Sequence, residues 1–210
     1  MILSDRDIKD AMAKGDIFID PYNDSMLQPA SVDLSLGKHF LVYDRNKSAI
    51  IDTKKPVEGL MREVSIEEDE PFILHPGEFA LGMIYEKTGV SDAMVGRLEG
   101  KSSVGRLGLM IHVTAGFLDP GNTVNMTLDL FNTASLPMLL YYRMPIAQMV
   151  FERVSSSSER PYDATHAEAL GSKYVGSEGK PVASQMWKNF EDPGSSLNYN
   201  NRVYIPTDPI

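Results

Sequence analysis

At 210 residues the chain is long enough for one well-buried core, and 42% hydrophobic with 23% charged residues is the ordinary composition of a soluble globular protein. A formal net charge of −9 argues against a nucleic-acid polymer as partner, yet leaves room for a small phosphorylated ligand held by a few cations and N–H groups. Zero cysteines exclude disulfides, a thiolate nucleophile and any cysteine-ligated metal.

From the N-terminus, residues 2–14 read as a short helix, with Ser4 as N-cap, Asp5 and Asp7 in the first turn, and Gly15 as the stop. No leader-like apolar core precedes it, and no later run reaches the roughly 20 residues a membrane crossing needs. The expectation is a cytoplasmic protein with no membrane partner. Residues 57–68 predict a further short helix or an acidic loop. Pro71 to Leu74 reads as a strand, followed by a type II turn over His75-Pro76-Gly77-Glu78 and a second strand from Phe79 to Tyr85. Thr123 to Phe131 alternates, with Met126, Leu128 and Leu130 on one face and Thr127, Asp129 and Phe131 on the other. Residues 138–153 give another apolar stretch, broken at Pro145. Many short strands with close-set turns predict a mainly β fold, a barrel or sandwich with a few short helices at its margins. Residues 154–186 read as a surface loop or tail, and the last twenty as an extended arm.

Two groups of residues could carry chemistry. Lys101, Ser102, Ser103, Gly105 and Arg106 lie within six positions of one another, joining two cations and two hydroxyls to a residue that lets backbone approach closely. They read either as a phosphate cradle or as a solvated turn. Asp119 precedes Pro-Gly at a strand-to-turn junction, whereas Asp129 interrupts an apolar strand. Asp129 reads either as an edge-strand carboxylate or as a general base in a pocket. The four histidines, at 39, 75, 112 and 166, show no metal-ligand spacing. His112, in an apolar run, reads as a core histidine, and His75 as part of its turn.

The ordered segments LSDRDI (3–8), DPYNDSMLQPASVDLSLG (20–37), LHPGEFALG (74–82), GRLEGKSSVGRLGLMIHVTAGFLDPG (96–121), LPMLLYYRMPIAQMVFERV (136–154) and GSKYVGSEGKPVAS (171–184) resemble the dCTP deaminase family of the dUTPase superfamily. The likeness spans residues 1–190, and the bifunctional, dUMP-forming branch fits best. It implies one domain over 1–190, a distorted β-barrel of the dUTPase-like type in a homotrimer with shared active sites, and a C-terminal extension over 191–210. Residues 171–184 become a lid over a deoxypyrimidine nucleoside triphosphate. By the same resemblance, Asp129, Ser102 and Arg106 are catalytic. Nucleotide contacts fall on Lys101, Ser102, Ser103, Val104, Gly105, Arg106, Asp119, Thr127, Leu128, Asp129, Gln148, Tyr162, Lys173 and Ser177. Mg²⁺ is expected on the phosphates, with no protein ligands and no zinc.

Zinc-dependent base deaminases ligate their metal through cysteine, which this sequence lacks. A carboxylate must then take the proton from the water that attacks C4 of cytosine. Three positions depart from the family pattern: Asp129 replaces a Glu, Ser177 a lid Gln, and Ser35 the Arg of the QPxSxDxRLG motif. Gly116 and Phe117 stand where single-function deaminases carry a His-Arg pair. Shortening the base by one methylene retracts it by about 1.5 Å. The alternatives are therefore an enzyme that is only a dUTPase, a deaminase for a modified deoxycytidine nucleotide, or a nucleotide-binding regulator without turnover. Trp187, Phe190 and Tyr199 are expected to pack on a neighbouring subunit.

Overall fold

The computed structural model describes residues 1–113, 115–163, 165–167, 169–174 and 178–190. Ser177, Tyr199 and the whole 191–210 extension lie outside the described residues.

The first helix runs Asp5–Lys14, one turn shorter at its start than the 2–14 expected, because Ser4 caps it: its hydroxyl accepts the Asp7 N–H. Gly15 ends it at φ 80°, donating back to the Met12 carbonyl. Ile8 and Ala11 seat this helix on the core. Among the described residues, the strands that follow all pair antiparallel.

One five-stranded sheet has the order Leu109–Met110, Thr127–Asn132, Phe79–Met83, His39–Tyr43, Met61–Ser65. A second runs Phe117–Leu118, Met94–Gly100, Pro145–Arg153, Ser31–Ser35, Leu27–Gln28. Ile17–Asp20, Lys87–Val90 and Thr123–Val124 form a three-stranded sheet, and Met138–Leu140 pairs with Phe72–Leu74. The mainly β architecture agrees with the sequence. The expected barrel does not close: among the described residues the strands make four open sheets, each ending on short edge strands. Leu34, Leu36, Phe40, Leu98, Leu118, Leu128, Leu130 and Phe151 fill the space between them, and Phe40 stacks on Phe72 at 4.0 Å between ring centroids.

Residues 57–68 are neither helix nor loop. A single 3-10 turn, Glu58–Leu60, leads into the edge strand Met61–Ser65, registered against His39–Tyr43. The exposed Arg62 and Glu63 suit an edge strand, where charge discourages further pairing. Pro145 does not break a strand but opens one, with a register shift between Pro145 and Ala147. Thr123–Phe131 is two strands, parted at Asn125-Met126.

Position 35 has a structural consequence. The Ser35 N–H donates to the carboxylate of Glu86, which is only 3% exposed, and the Arg143 guanidinium lies over the adjoining Tyr85 ring. Burial pushes the Glu86 carboxyl above its ordinary 4.5, opposed by its bonds to Ser35 and its own N–H and by the Arg143 charge. The folded state thus holds this proton more tightly than the unfolded chain. Its stabilising effect is full below pH 4.5 and is lost as pH rises through the raised folded value. Glu86→Gln is expected to raise the thermal midpoint at pH 7 by about 2–4 °C. The gain should vanish below pH 4.5 in paired melting curves.

Candidate active site

The LDPG turn positions the first carboxylate. Asp119 follows the strand Phe117–Leu118 and accepts the Asn122 N–H at 3.1 Å, with Gly121 at φ 80° in the position a type II turn reserves for glycine. The Tyr162 N–H donates to the Pro120 carbonyl at 2.8 Å, which docks residue 162 onto the same turn. Gly116, just upstream, presses against the neighbouring strand. Leu98 donates to its carbonyl at 2.7 Å, and a Cβ at 116 would stand 2.8 Å from the Leu98 oxygen.

Asp129 sits mid-strand on Thr127–Asn132, whose even positions are buried and odd ones half-exposed. Even-numbered backbone faces the Phe79–Met83 side: Asn132 donates to the Glu78 carbonyl, and the Met126 carbonyl accepts from Ile84. Odd-numbered backbone faces the other way, and the Asp129 N–H donates to the Ile111 carbonyl at 3.0 Å. Antiparallel alternation therefore turns the N–H and C=O of Thr127 to that second edge, beyond the reach of Leu109–Met110. Leu128, by contrast, points its backbone at the sheet and its side chain into the core.

These elements wall a cleft of about 650 Å³ that contains Asp119, Thr127, Asp129, Tyr162 and Lys173. Tyr43, Phe79, Phe117 and Val124 give it an apolar side. Burial raises the carboxyl of Asp119 above its ordinary value, and the Tyr43 hydroxyl likewise. The sequence pointed to neither Tyr43 nor Phe117 as a cleft residue: Tyr43 lies in a short strand with no motif around it, and Phe117 drew notice only as a departure within its motif.

The KSSVGR segment lies elsewhere in the chain. Ser102–Gly105 forms one helical turn, anchored by buried Val104, with Ser102, Ser103, Gly105 and Arg106 exposed. Lys101, Ser102, Val104 and Gly105 line a second cleft of about 220 Å³ together with His112. No residue lines both clefts. His112 encloses its Nδ1 without a hydrogen-bond partner among the described residues, so it is not a satisfied core histidine. Lys101 is already engaged, its ammonium 2.5 Å from the carboxylate of Asp33 in the SVDLS strand. Gln148 lies apart from both clefts and accepts the Ser31 hydroxyl at 3.1 Å. Asp33 is a residue that sequence reading missed, although the QPASVDLSLG motif contains it.

Residues 178–190 lie against the body of the same chain. Gly179 donates to the side chain of Asn125, Lys180 pairs with Glu63 at 2.5 Å, and Ala183 is buried with Val57, Met61 and Leu81. Phe190 packs under the Lys54 ammonium of the same chain, 5.3 Å from the ring centroid.

The sequence model of a family described as dCTP deaminase-like matches residues 2–154. A Corynebacterium jeikeium protein named dCTP deaminase, dUMP-forming, is 48% identical over 192 residues, covering 91% of this chain and all of that one. A protein of the same name from Streptomyces coelicolor is 46% identical over 190 residues, covering 90% of this chain and 97% of the relative. Among solved structures, the 2'-deoxycytidine 5'-triphosphate deaminase of Agrobacterium tumefaciens shares the fold with a TM-score of 0.56 at 20% identity. That match covers 73% of this chain and about half (48%) of the other.

Proposed function

Because this chain belongs to the dCTP deaminase-like family, we propose that it hydrolyses dCTP to dUMP, ammonia and pyrophosphate. What supports this most directly is a carboxylate, Asp129, that interrupts a buried strand at a cleft shared with Asp119, Tyr162 and Lys173. In this reading Asp129 takes a proton from water as the oxygen bonds to C4 of the cytosine ring. The proton passes to the exocyclic nitrogen, the C4–N bond breaks and ammonia leaves. A second water then attacks the α-phosphorus, the bond to the β-phosphate oxygen breaks, and pyrophosphate departs. The edge of Thr127 offers a donor and an acceptor to the pyrimidine, and half-buried Asp119 anchors the base and sugar.

Ser102 and Arg106 position the attacking water and the oxygen charge that develops at C4. Ser102 lines a different cleft from Asp129, and Arg106, which follows the same helical turn, lines neither, so they complete a site only if another copy supplies them. We therefore read the enzyme as a homotrimer whose sites lie between subunits. Among the described residues no cluster of three or more His, Asp or Glu side chains could hold a metal ion. Mg²⁺ would be held by the triphosphate oxygens, where it offsets phosphate charge, with Arg106 and Lys173 as the protein's cations and Lys101 engaged by Asp33.

A second reading, cleavage of dUTP without deamination, draws on the shortened carboxylate at 129. One assay separates them: dCTP and dUTP are incubated in parallel with Mg²⁺ and resolved by chromatography. Ammonia, dUMP and pyrophosphate are expected from dCTP. Pyrophosphate from dUTP alone would leave only the second reading, and neither product would end both.

A further inference from the structure

We propose that Asn189 is a positioning residue that holds the Lys173 ammonium at the wall of the cleft for the phosphate chain of a nucleoside triphosphate. This rests on reading the cleft as a triphosphate site. The Asn189 Oδ1 accepts from Lys173 Nζ at 2.6 Å. Its Nδ2 faces Met186 Sδ at 3.2 Å, which turns the amide so that oxygen, not nitrogen, meets the ammonium.

The chemistry of this partner sets it apart. Lys9, Lys55, Lys87, Lys101 and Lys180 each pair with a carboxylate, as befits a chain with net charge −9. An ammonium paired that way has much of its charge cancelled before a ligand arrives. A carboxamide oxygen orients the same group and leaves the charge whole. Lys173 is also one of the residues that line the cleft with Asp119 and Asp129.

Asn189 is itself fixed. It stands in the turn Met186–Phe190, whose entry is tied where the Gln185 N–H donates to the Tyr174 hydroxyl at 2.9 Å. Upstream, buried Ala183 and the Lys180–Glu63 pair fasten the arm to the edge strand Met61–Ser65. A residue far along the arm thereby sets the orientation of one at its start.

The test is a double-mutant cycle in the full-length enzyme. Asn189→Ala is expected to raise KM for the triphosphate about tenfold with kcat within about twofold. It should leave inhibition by dUMP, which lacks the β- and γ-phosphates, unchanged. In a Lys173→Ala background the same substitution should add nothing. Asn189→Asp, which keeps the acceptor but cancels the charge, should raise KM as much as Ala does while leaving the thermal midpoint intact. A KM penalty that persists without Lys173, or an Asp variant that behaves as wild type, overturns the proposal. The cycle is repeated with inorganic tripolyphosphate by calorimetry, so that Asn189 is still tested if the wild type turns over neither dCTP nor dUTP. That double inactivity would sink the functional reading alone.

Discussion

Replacing Asp129 with Asn is expected to cut ammonia release from dCTP by about 10²–10⁴-fold, the range a positioned general base supplies. The exchange keeps the shape and removes only the ability to take a proton. Asp129 is half-exposed at the cleft and makes its backbone bond to Ile111 whatever its side chain, so the fold should survive. Thermal protection by dCTP should therefore persist in the inactive variant, separating lost chemistry from lost binding. Asp129→Glu extends the carboxylate by about 1.5 Å. It is expected to raise ammonia release relative to pyrophosphate release, because the shorter acid stands back from the ring. An Asn variant that deaminates at the wild-type rate would remove Asp129 from the mechanism.

Ser102→Ala is expected to lower deamination by about 10²–10³-fold, as losing one donor to a developing oxyanion does. The more informative result comes from combining it with Asp129→Asn. Each variant alone should be nearly inactive. Co-expressed in equal amounts, the two should regain about a quarter of wild-type activity, because a site between neighbours draws an intact Ser102 from one chain half the time and an intact Asp129 from the next half the time. A site built within one chain would regain nothing. The separate clefts, with no lining residue in common, are what make complementation the expected outcome.

Local rules carried the sequence reading furthest where chemistry and geometry are set within a few residues. Ser4 and Gly15 bound the first helix, the Pro-Gly pairs at 76–77 and 120–121 make turns, and the strand through Asp129 alternates as its pattern demands. The reading failed where partners decide. Residues 57–68 carry an acidic run that mimics a helix, yet pairing with His39–Tyr43 makes Met61–Ser65 a strand. Lys101 looked free for phosphate, but Asp33, 68 positions away, holds it. Phe190, expected on a neighbouring subunit, lies against Lys54 of its own chain. The candidate site residues were expected from motif, and motif says nothing of the two clefts, since a cleft depends on which strands face each other.

The tight contact at Gly116 bears on which substitutions this part of the chain can accept. A Cβ at position 116 would stand 2.8 Å from the Leu98 carbonyl oxygen, a backbone atom that cannot rotate aside as a side chain would. An exchange at this position is therefore coupled to movement of the strand beside it, and the two cannot be varied independently.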